Sequence, residues 1–177
     1  MITTRRLELI PCELQHYEAV LQGNSVLSKQ LGVTVRSGWT ESPEAILISY
    51  DKLKNDPSLV GWFFYMIIHK EKKELIGTGG FKGKPDKDGT VEIGYEIRPD
   101  YREQGYARET AEALIRFAFS FPGIQRVIAH TLEEYNPSVK VLQNNGLKFA
   151  GTFPAQDDGK LWRWELKREN YHDTGQS

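Results

Sequence analysis

A turn at residues 101–108, with the sequence YREQGYAR, holds the residue types best suited to binding an anion. The first backbone amides of a helix have no intrahelical partner and lie at the positive end of the helix dipole. Gly105 and Ala107 leave room for a ligand to approach those amides, and Arg102 and Arg108 add full positive charge at the same end. This combination predicts a site for a diphosphate held mainly by main-chain N–H groups.

The elements on both sides of the turn support this prediction. Residues 91–97, with the sequence VEIGYEI, are a predicted strand before the turn, and ligands of open sheets lie beyond the carboxyl ends of strands. Other phosphate motifs do not fit: the chain has no G-x-x-x-x-G-K-S/T, and the glycine cluster at residues 77–82 fails G-x-G-x-x-G. After the turn, small and apolar residues recur along one helix face, at Ala107, Ala111, Leu114, Ile115 and Ala118.

Periodicity and turn residues predict both strands and helices along the rest of the chain. Short polar connections with Asp-Gly indicate antiparallel hairpins, whereas a helix between two strands indicates a parallel pair, so we expect a mixed sheet. Ser42 and Pro43 form a typical helix start, as N-cap and first helical residue. The predicted strands span residues 7–10, 60–69, 74–82, 90–97 and 127–131, with a closing hairpin that turns at 157–159, and the predicted helices span 13–21, 25–31, 43–54, 105–121 and 138–145.

Length and composition limit the classes of partner. The 177 residues suit one compact domain, and no linker-like stretch divides them, so we expect a single domain over residues 1–177. With 23 basic and 24 acidic residues the net charge is −1, which predicts no nucleic-acid or membrane partner. Cys12 is the sole cysteine, and no Cys or His spacing suggests zinc, so we predict no disulfide, no metal and a cytoplasmic location. Monomer and homodimer both remain open.

Several short motifs occur in an order that resembles a known family. They are IGYEI at 93–97, R-x-x-G-x-A at 102–107, VIAHT at 127–131, NPS at 136–138 and NGLKF at 145–149. Together they resemble the GNAT superfamily of acetyl-coenzyme A-dependent N-acetyltransferases. More narrowly, the chain resembles the branch that contains the ribosomal-protein N-terminal (alanine) acetyltransferases. The resemblance implies an α+β fold with three α/β/α layers, in which helices flank a mixed, mostly antiparallel and splayed sheet.

The resemblance also implies acetyl-coenzyme A (acetyl-CoA) as cosubstrate. Its pantetheine arm would enter a gap between the strands at 90–97 and 127–131, and its pyrophosphate would meet the amides of the turn derived above. One position departs from the family pattern, because the expected asparagine falls at Tyr135 and Asn136 lies one residue later. Asn136 and Tyr135 are both candidates for that contact. The implied cofactor-binding residues are Tyr95, Glu96, Ile97, Arg102, Gln104, Gly105, Tyr106, Ala107, Arg108 and Asn136.

Acetylation of an amine requires a neutral nucleophile, and the resemblance places Glu92 where some family members carry the glutamate that removes the amine proton. Glu92 shares a strand face with Gly94 and Glu96 by two-residue alternation. His130 is the second candidate for the base. Cys12 is expected to be a small buried residue and not a nucleophile, so we expect direct transfer within a ternary complex.

The leaving thiolate needs a proton, and many superfamily members supply it from a helix tyrosine. The matching position in this chain is Leu142, so that acid is missing. Ser138 matches a serine of the ribosomal-protein branch and is the candidate proton donor or thiol-orienting group. Its alternative role is to cap the helix beside Pro137.

The acceptor is open at the level of the sequence. A protein α-amine, with a pKa of ~7.7–8.0, is partly neutral at pH 7, whereas a lysine amine at ~10.4 needs a stronger base. The weak base candidates therefore favour an α-amine. Small-molecule amines, antibiotics and amino-acid derivatives are alternative acceptors. A non-catalytic acyl-CoA sensor and a general phosphometabolite-binding protein are alternative functions.

Overall fold

The computed structural model describes residues 1–173, which form one mixed sheet of eight strands with helices on both faces. In spatial order the sheet reads β1-β2-β3-β4-β5-β6-β8-β7, and only the contact between β5 and β6 is parallel. The strands are β1 (Ile2–Thr3), β2 (Leu7–Pro11), β3 (Phe64–His69), β4 (Glu74–Phe81), β5 (Thr90–Ile97), β6 (Arg126–Leu132), β7 (Lys148–Pro154) and β8 (Lys160–Lys167). The predicted mixed, mostly antiparallel sheet is confirmed.

The helices lie close to their predicted positions. They are α1 (Leu14–Gln22), α2 (Asn24–Leu31), α3 (Pro43–Asn55), α4 (Tyr106–Phe119) and α5 (Pro137–Asn144), with short 3-10 turns at Pro57–Leu59, Pro99–Tyr101 and Arg168–Asn170. The strand predicted at 60–69 was wrong at its start, because β3 begins at Phe64. Gly61 has a φ of 89°, a left-handed conformation that ends any extended run before that point.

Two apolar clusters, one on each face of the sheet, give the α/β/α layers. Leu114, Ala111 and Ala118 of α4 are fully buried against β5 residues such as Ile93. On the other side, Leu27, Ile46 and Leu53 of the first three helices pack with Met66, Ile68 and Leu75 of the sheet. Each large aliphatic side chain buried in this way contributes about 1.5–3 kcal/mol. The sheet is therefore held rigidly between two helical layers.

The sheet opens between β5 and β6, the parallel pair among the strands described above. On one edge β5 pairs with β4 from Ile93 to Ile97. On the other edge its pairs with β6 stop after three residues, at Thr90↔Arg126, Val91↔Val127 and Glu92↔Ile128. Beyond Glu92 the two strands separate, so the second half of β5 has a neighbouring strand on one edge alone. This gap is the splay that the family resemblance implied.

Two further observations concern the described range. None of the helices within residues 1–173 is long and apolar enough to cross a membrane. No group of three or more His, Cys, Asp or Glu side chains in that range is arranged to hold a metal ion.

Candidate active site

A cavity of about 530 Å³ opens where β5 and β6 separate. One wall is formed by α3 and the end of β4, and the opposite wall by β6 and α5. Its polar side chains include Ser42, Lys82, Tyr95, Glu96, His130 and Ser138. The cavity therefore joins the predicted cofactor gap to the face of the sheet that α3 covers.

The hydroxyl group of Tyr95 crosses the gap and contacts α5. It lies 3.1 Å from the Ser138 hydroxyl and 3.4 Å from the Ser138 carbonyl. Burial raises the pKa of Tyr95 to about 12, and the Ser138 hydrogen bond opposes this shift. Tyr95 therefore stays protonated at neutral pH and is a permanent donor beside Ser138. The family resemblance implied a main-chain role for Tyr95, and nothing in the sequence indicated a role for its hydroxyl.

Ser138 is not the cap of α5. That role belongs to Asn136, whose side-chain oxygen accepts the Val139 N–H at 3.1 Å. The Ser138 hydroxyl is therefore available on the cavity wall. Leu142, one helical turn further along α5, is buried and lines the same cavity. The described wall has an aliphatic side chain where many relatives are expected to carry a tyrosine, with Tyr95 reaching the region from the opposite strand.

The main chain of β5 presents alternate residues to the gap. The Glu92 carbonyl accepts from Lys82 N–H and the Arg98 N–H donates to the Ile76 carbonyl, so even-numbered residues face β4. The Glu96 carbonyl also faces β4: a Cβ on Gly77 would lie 2.1 Å from it. Tyr95, between them, turns its N–H and carbonyl toward the gap. The structure thus separates two predicted cofactor contacts, with Tyr95 at the gap and the main chain of Glu96 directed away from it.

At residues 101–108, the predicted phosphate turn, a glycine in the left-handed region precedes α4. Gly105 has a φ of 85° and precedes the first residue of α4, Tyr106. Within residues 1–173 no acceptor takes the main-chain N–H groups of residues 104–108, and the first bonded amide is that of Glu109, which donates to the Gly105 carbonyl at 3.0 Å. A set of N–H groups, including those of Gln104 and Ala107, is therefore open to an anion at a helix N-terminus.

Arg6 supports this turn from the start of the chain, which the sequence reasoning did not anticipate. Its Nη1 donates to the Gln104 carbonyl at 2.9 Å, and its Nε donates to the Glu109 carboxylate at 2.7 Å. Its guanidinium carbon also lies 4.2 Å from the centroid of the Tyr106 ring. The Glu109 carboxylate takes a further hydrogen bond of 2.6 Å from the Thr4 hydroxyl. These contacts span about a hundred residues of sequence, so spacing alone gives no sign of them.

The two predicted arginines of the turn lie in different surroundings. Arg102 donates from Nε to the Ile97 carbonyl at 2.8 Å and pairs through Nη2 with Glu41 at 3.3 Å. Ile97 thereby has its gap-facing carbonyl already engaged. Arg108 instead lines a separate cavity of about 260 Å³ between α4 and the end of α5. Arg102 therefore organises the turn, while Arg108 extends its positive charge toward α5.

Glu92 lies outside the wall of the main cavity. Its carboxylate pairs with Lys82 Nζ at 2.7 Å and with His130 Nδ1 at 3.2 Å. The Lys82 side chain runs over Gly94, because a Cβ there would lie 3.7 Å from Lys82 Cε. Glu92 is thus covered on the cavity side by its own basic partner.

His130 is held at both ring nitrogens. Its Nε2 lies 3.1 Å from Arg163 Nε, which can only donate, so Nε2 is the acceptor. Nδ1 therefore carries the proton and donates it to Glu92. His130 lines the cavity, but both of its ring nitrogens are engaged in this arrangement, so neither is free to take a proton from the amine substrate.

Cys12 lies apart from the site, in the cluster beneath α1 and α3. It is buried, and burial raises the pKa of its thiol to about 12. A thiol with so high a pKa has almost no thiolate at neutral pH, so its environment does not activate it as a nucleophile.

Comparison with known proteins shows the family to which this chain belongs. The chain belongs to the GNAT acetyltransferases: a family described as an acetyltransferase (GNAT) domain matches residues 6–148. The uncharacterized N-acetyltransferase p20 of Bacillus licheniformis is 31% identical, over 82% of this chain and 80% of its own. The uncharacterized N-acetyltransferase YjdG of Bacillus subtilis is 29% identical, over 82% of this chain and 88% of its own. The protein is therefore an acetyl-CoA-dependent acyltransferase.

A solved structure shows the same fold at lower identity. RimL, a ribosomal L7/L12 alpha-N-protein acetyltransferase in complex with coenzyme A, superposes with a TM-score of 0.67 and 15% identity, over 95% of this chain and 97% of that one. This likeness shows that the fold is shared over nearly the whole chain.

Proposed function

We propose that this acetyltransferase transfers the acetyl group of acetyl-CoA directly to a primary amine within a ternary complex. The observation that carries the proposal is the continuous path from the open amides of residues 104–108, along the gap beside Tyr95, to the cavity under α3. One elongated ligand with a diphosphate at one end and amide groups along its arm fits this path. Acetyl-CoA supplies the activated acetyl group at the inner end.

The proposed roles in binding follow from the donors that the chain leaves open. The amides of Gln104 to Arg108 hold the pyrophosphate, with Arg102 fixing the turn. The gap-facing main chain of Tyr95 bonds the pantetheine arm. The side-chain oxygen of Asn136 already caps α5, so we assign its contact with the cofactor to the N-terminal end of that helix. The fit depends on Gly105, because its φ of 85° shapes the turn and a Cβ there would lie 3.2 Å from Arg6 Nη2.

Ser138 and Tyr95 are proposed to serve the leaving group. The amine nitrogen attacks the thioester carbon, the C–N bond forms, and the C–S bond breaks to leave a thiolate. The Ser138 hydroxyl donates to this sulfur, while the Tyr95 hydroxyl donates to Ser138 Oγ and fixes its orientation. The proton that the amide nitrogen loses then balances the thiolate, directly or through Ser138. An acceptor that enters as R–NH₃⁺ has one further proton to lose before it attacks, and Glu92 and Glu96 are the candidate carboxylates on this strand face.

The acceptor is proposed to be a low-pKa primary amine, such as a protein N-terminal α-amine. The support is chemical: no histidine with a free nitrogen lines the described cavity, so an amine that is already partly neutral is the easier nucleophile. A small-molecule amine of similar pKa is the alternative. With its only cysteine buried, the protein suits the cytoplasm, where we place it.

Thermal shift and turnover test this proposal together. Acetyl-CoA should raise the melting temperature, whereas ATP and NAD at equal concentration should raise it far less, because only the first ligand fits both the turn and the gap. Release of free thiol should then require an amine, measured with a tetrapeptide bearing a free α-amine, with 2-phenylethylamine and with spermidine. Equal stabilisation by all three nucleotides would contradict the cofactor path. Tight binding of acetyl-CoA without turnover of any amine would indicate the sensor.

A further inference from the structure

We propose that Glu96, and not Glu92, is the carboxylate that receives the acceptor's ammonium group and takes its proton. This inference rests on the proposed amine transfer and deepens it by naming the acceptor's binding group. Glu96 is half-buried on the wall of the 530 Å³ cavity, on the side that α3 covers. Glu92, two pleats earlier on the same strand face, lies behind Lys82.

The carboxylates of Glu92 and Glu96 differ in whether they have a cationic partner. Glu92 has two nitrogen partners, Lys82 Nζ at 2.7 Å and His130 Nδ1 at 3.2 Å. Within residues 1–173, Glu96 has no Lys, Arg or His nitrogen within 4.0 Å of its carboxylate. The neighbouring acidic residue Glu41 is paired with Arg102. Glu96 is therefore the carboxylate of this wall that still lacks a cation. A partly desolvated carboxylate gains most from a charge-assisted hydrogen bond to an incoming ammonium.

The loop before α3 orients Glu96 for that purpose. The Glu41 N–H donates to Glu96 Oε1 at 3.1 Å, and the Ser42 hydroxyl lies 3.4 Å from Oε2. Ser42 makes no side-chain cap to its own helix, so its hydroxyl is turned to the carboxylate instead. Trp39 anchors the loop: its ring is buried, and its Nε1 donates to Asn24 Oδ1 at 3.1 Å. These contacts hold the carboxylate in place before any acceptor arrives.

The proton balance is complete without a further reactant. The acceptor enters as R–NH₃⁺ and gives one proton to Glu96, which later returns it to solvent. The neutral nitrogen forms the C–N bond and its second proton replaces the lost C–S bond as S–H. The products are the acetylated amine and free coenzyme A, with one proton released.

The charges of the cavity also define the class of acceptor. Lys52 and Lys82 line the same cavity as Glu96, and Lys52 Nζ lies 5.6 Å from the Phe63 ring centroid. Within residues 1–173, no carboxylate lies within 4.0 Å of Lys52. Lys82 is paired with Glu92, so among the described residues the charges of this cavity without an ionic partner are one carboxylate, Glu96, and one lysine, Lys52. This pattern suits an amine with a single positive charge better than a polyamine. We therefore expect the tetrapeptide or 2-phenylethylamine to be preferred to spermidine.

Steady-state kinetics with the better of these probes test the assignment. Glu96→Gln should lower kcat/KM by roughly 10²–10⁴-fold, as expected for loss of a general base, while acetyl-CoA affinity stays unchanged. Glu96→Asp should restore part of the loss. Glu44→Gln is the matched control, because it removes one negative charge from an exposed position in the first turn of α3 and should leave kcat/KM unchanged.

The pH profile separates a base from a merely structural residue. Glu96→Gln should change the shape of the profile of kcat/KM against pH, whereas Glu92→Gln should leave the shape of the parent profile unchanged. A larger loss in Glu92→Gln than in Glu96→Gln, or full activity of Glu96→Gln, would overturn the assignment while leaving amine transfer intact. A preference for spermidine would overturn the single-charge class. Binding of acetyl-CoA with no turnover of any probe would reject amine transfer itself, and this inference with it.

Discussion

The hydroxyl groups of Tyr95 and Ser138 lie 3.1 Å apart and join β5 to α5 across the opening of the sheet. The two residues are 43 positions apart in the chain and meet because the sheet splays after Glu92. Leu142 stands where many relatives are expected to carry a tyrosine, so α5 has no hydroxyl group at that position. The Tyr95–Ser138 pair places two hydroxyl groups on the wall of the same cavity.

Removal of either hydroxyl should slow the reaction without preventing binding. We expect Ser138→Ala and Tyr95→Phe each to lower kcat by about ten- to hundredfold, the equivalent of about 1–3 kcal/mol for a lost buried hydrogen bond. The double variant should lose little more than the worse single variant, because the two groups act as a unit. Stopped-flow or steady-state turnover, with calorimetry for acetyl-CoA affinity, measures both effects. Tyr50→Phe, which removes a hydroxyl near Glu18 away from the cavity, is the control.

Gly105 should be sensitive for two separate reasons. Its φ of 85° strains any L-residue by about 1–2 kcal/mol, and a Cβ there would lie 3.2 Å from Arg6 Nη2. Gly105→Ala should therefore lower both the free energy of unfolding and the affinity for acetyl-CoA, measured by urea denaturation and calorimetry. Gly123→Ala is a suitable control, since a Cβ at Gly123 meets nothing within 4 Å. Unchanged acetyl-CoA affinity in Gly105→Ala would contradict the phosphate turn.

The Glu109 carboxylate should stabilise the fold in a pH-dependent way. Burial alone would raise its pKa, but hydrogen bonds from Thr4 and from the Arg6 main chain and side chain outweigh burial and hold the pKa below its usual value. A lowered folded pKa means that the stabilisation is present above the unfolded value of ~4.3 and is lost as the pH falls through the folded value.

Glu109→Gln should therefore cost about 1–3 kcal/mol of unfolding free energy at pH 7 and progressively less in acid. Urea denaturation of the parent and the variant at several pH values between 7 and 3 measures the difference. A difference that stays constant with pH would show that the ion pair with Arg6 does not stabilise the protein.

Cys12 should be dispensable for catalysis. Burial raises the pKa of its thiol to about 12, and the residue belongs to the core beneath the first three helices. We expect Cys12→Ala to retain parent kcat and to lose about 1 kcal/mol of stability through the small cavity that it leaves. The native enzyme should also react slowly with iodoacetamide until it is unfolded. A folded but inactive Cys12→Ala variant would instead support a covalent intermediate.

Local sequence signals determined most of the elements and one end of the site. The turn at 101–108 was predicted as an anion site from glycine, arginine and helix position alone, and Gly105 and the open amides have that geometry. β5 was predicted at its observed limits, because strand periodicity and the Asp-Gly turn before it are local features. The single parallel pair also followed from one helix lying between two strands.

Only the tertiary structure showed the hydrogen bonds and ion pairs between residues that are far apart in the sequence. The sequence suggested that Ser42 caps α3 and left helix capping open for Ser138, yet the fold turns the first hydroxyl toward Glu96 and the second toward Tyr95. Alternation placed Glu92 and Glu96 on one strand face and could not separate them. Only the packed structure shows that Lys82 neutralises the first and leaves the second without a cation, because pairing depends on which side chains share a few ångströms of space, and sequence spacing carries no record of that.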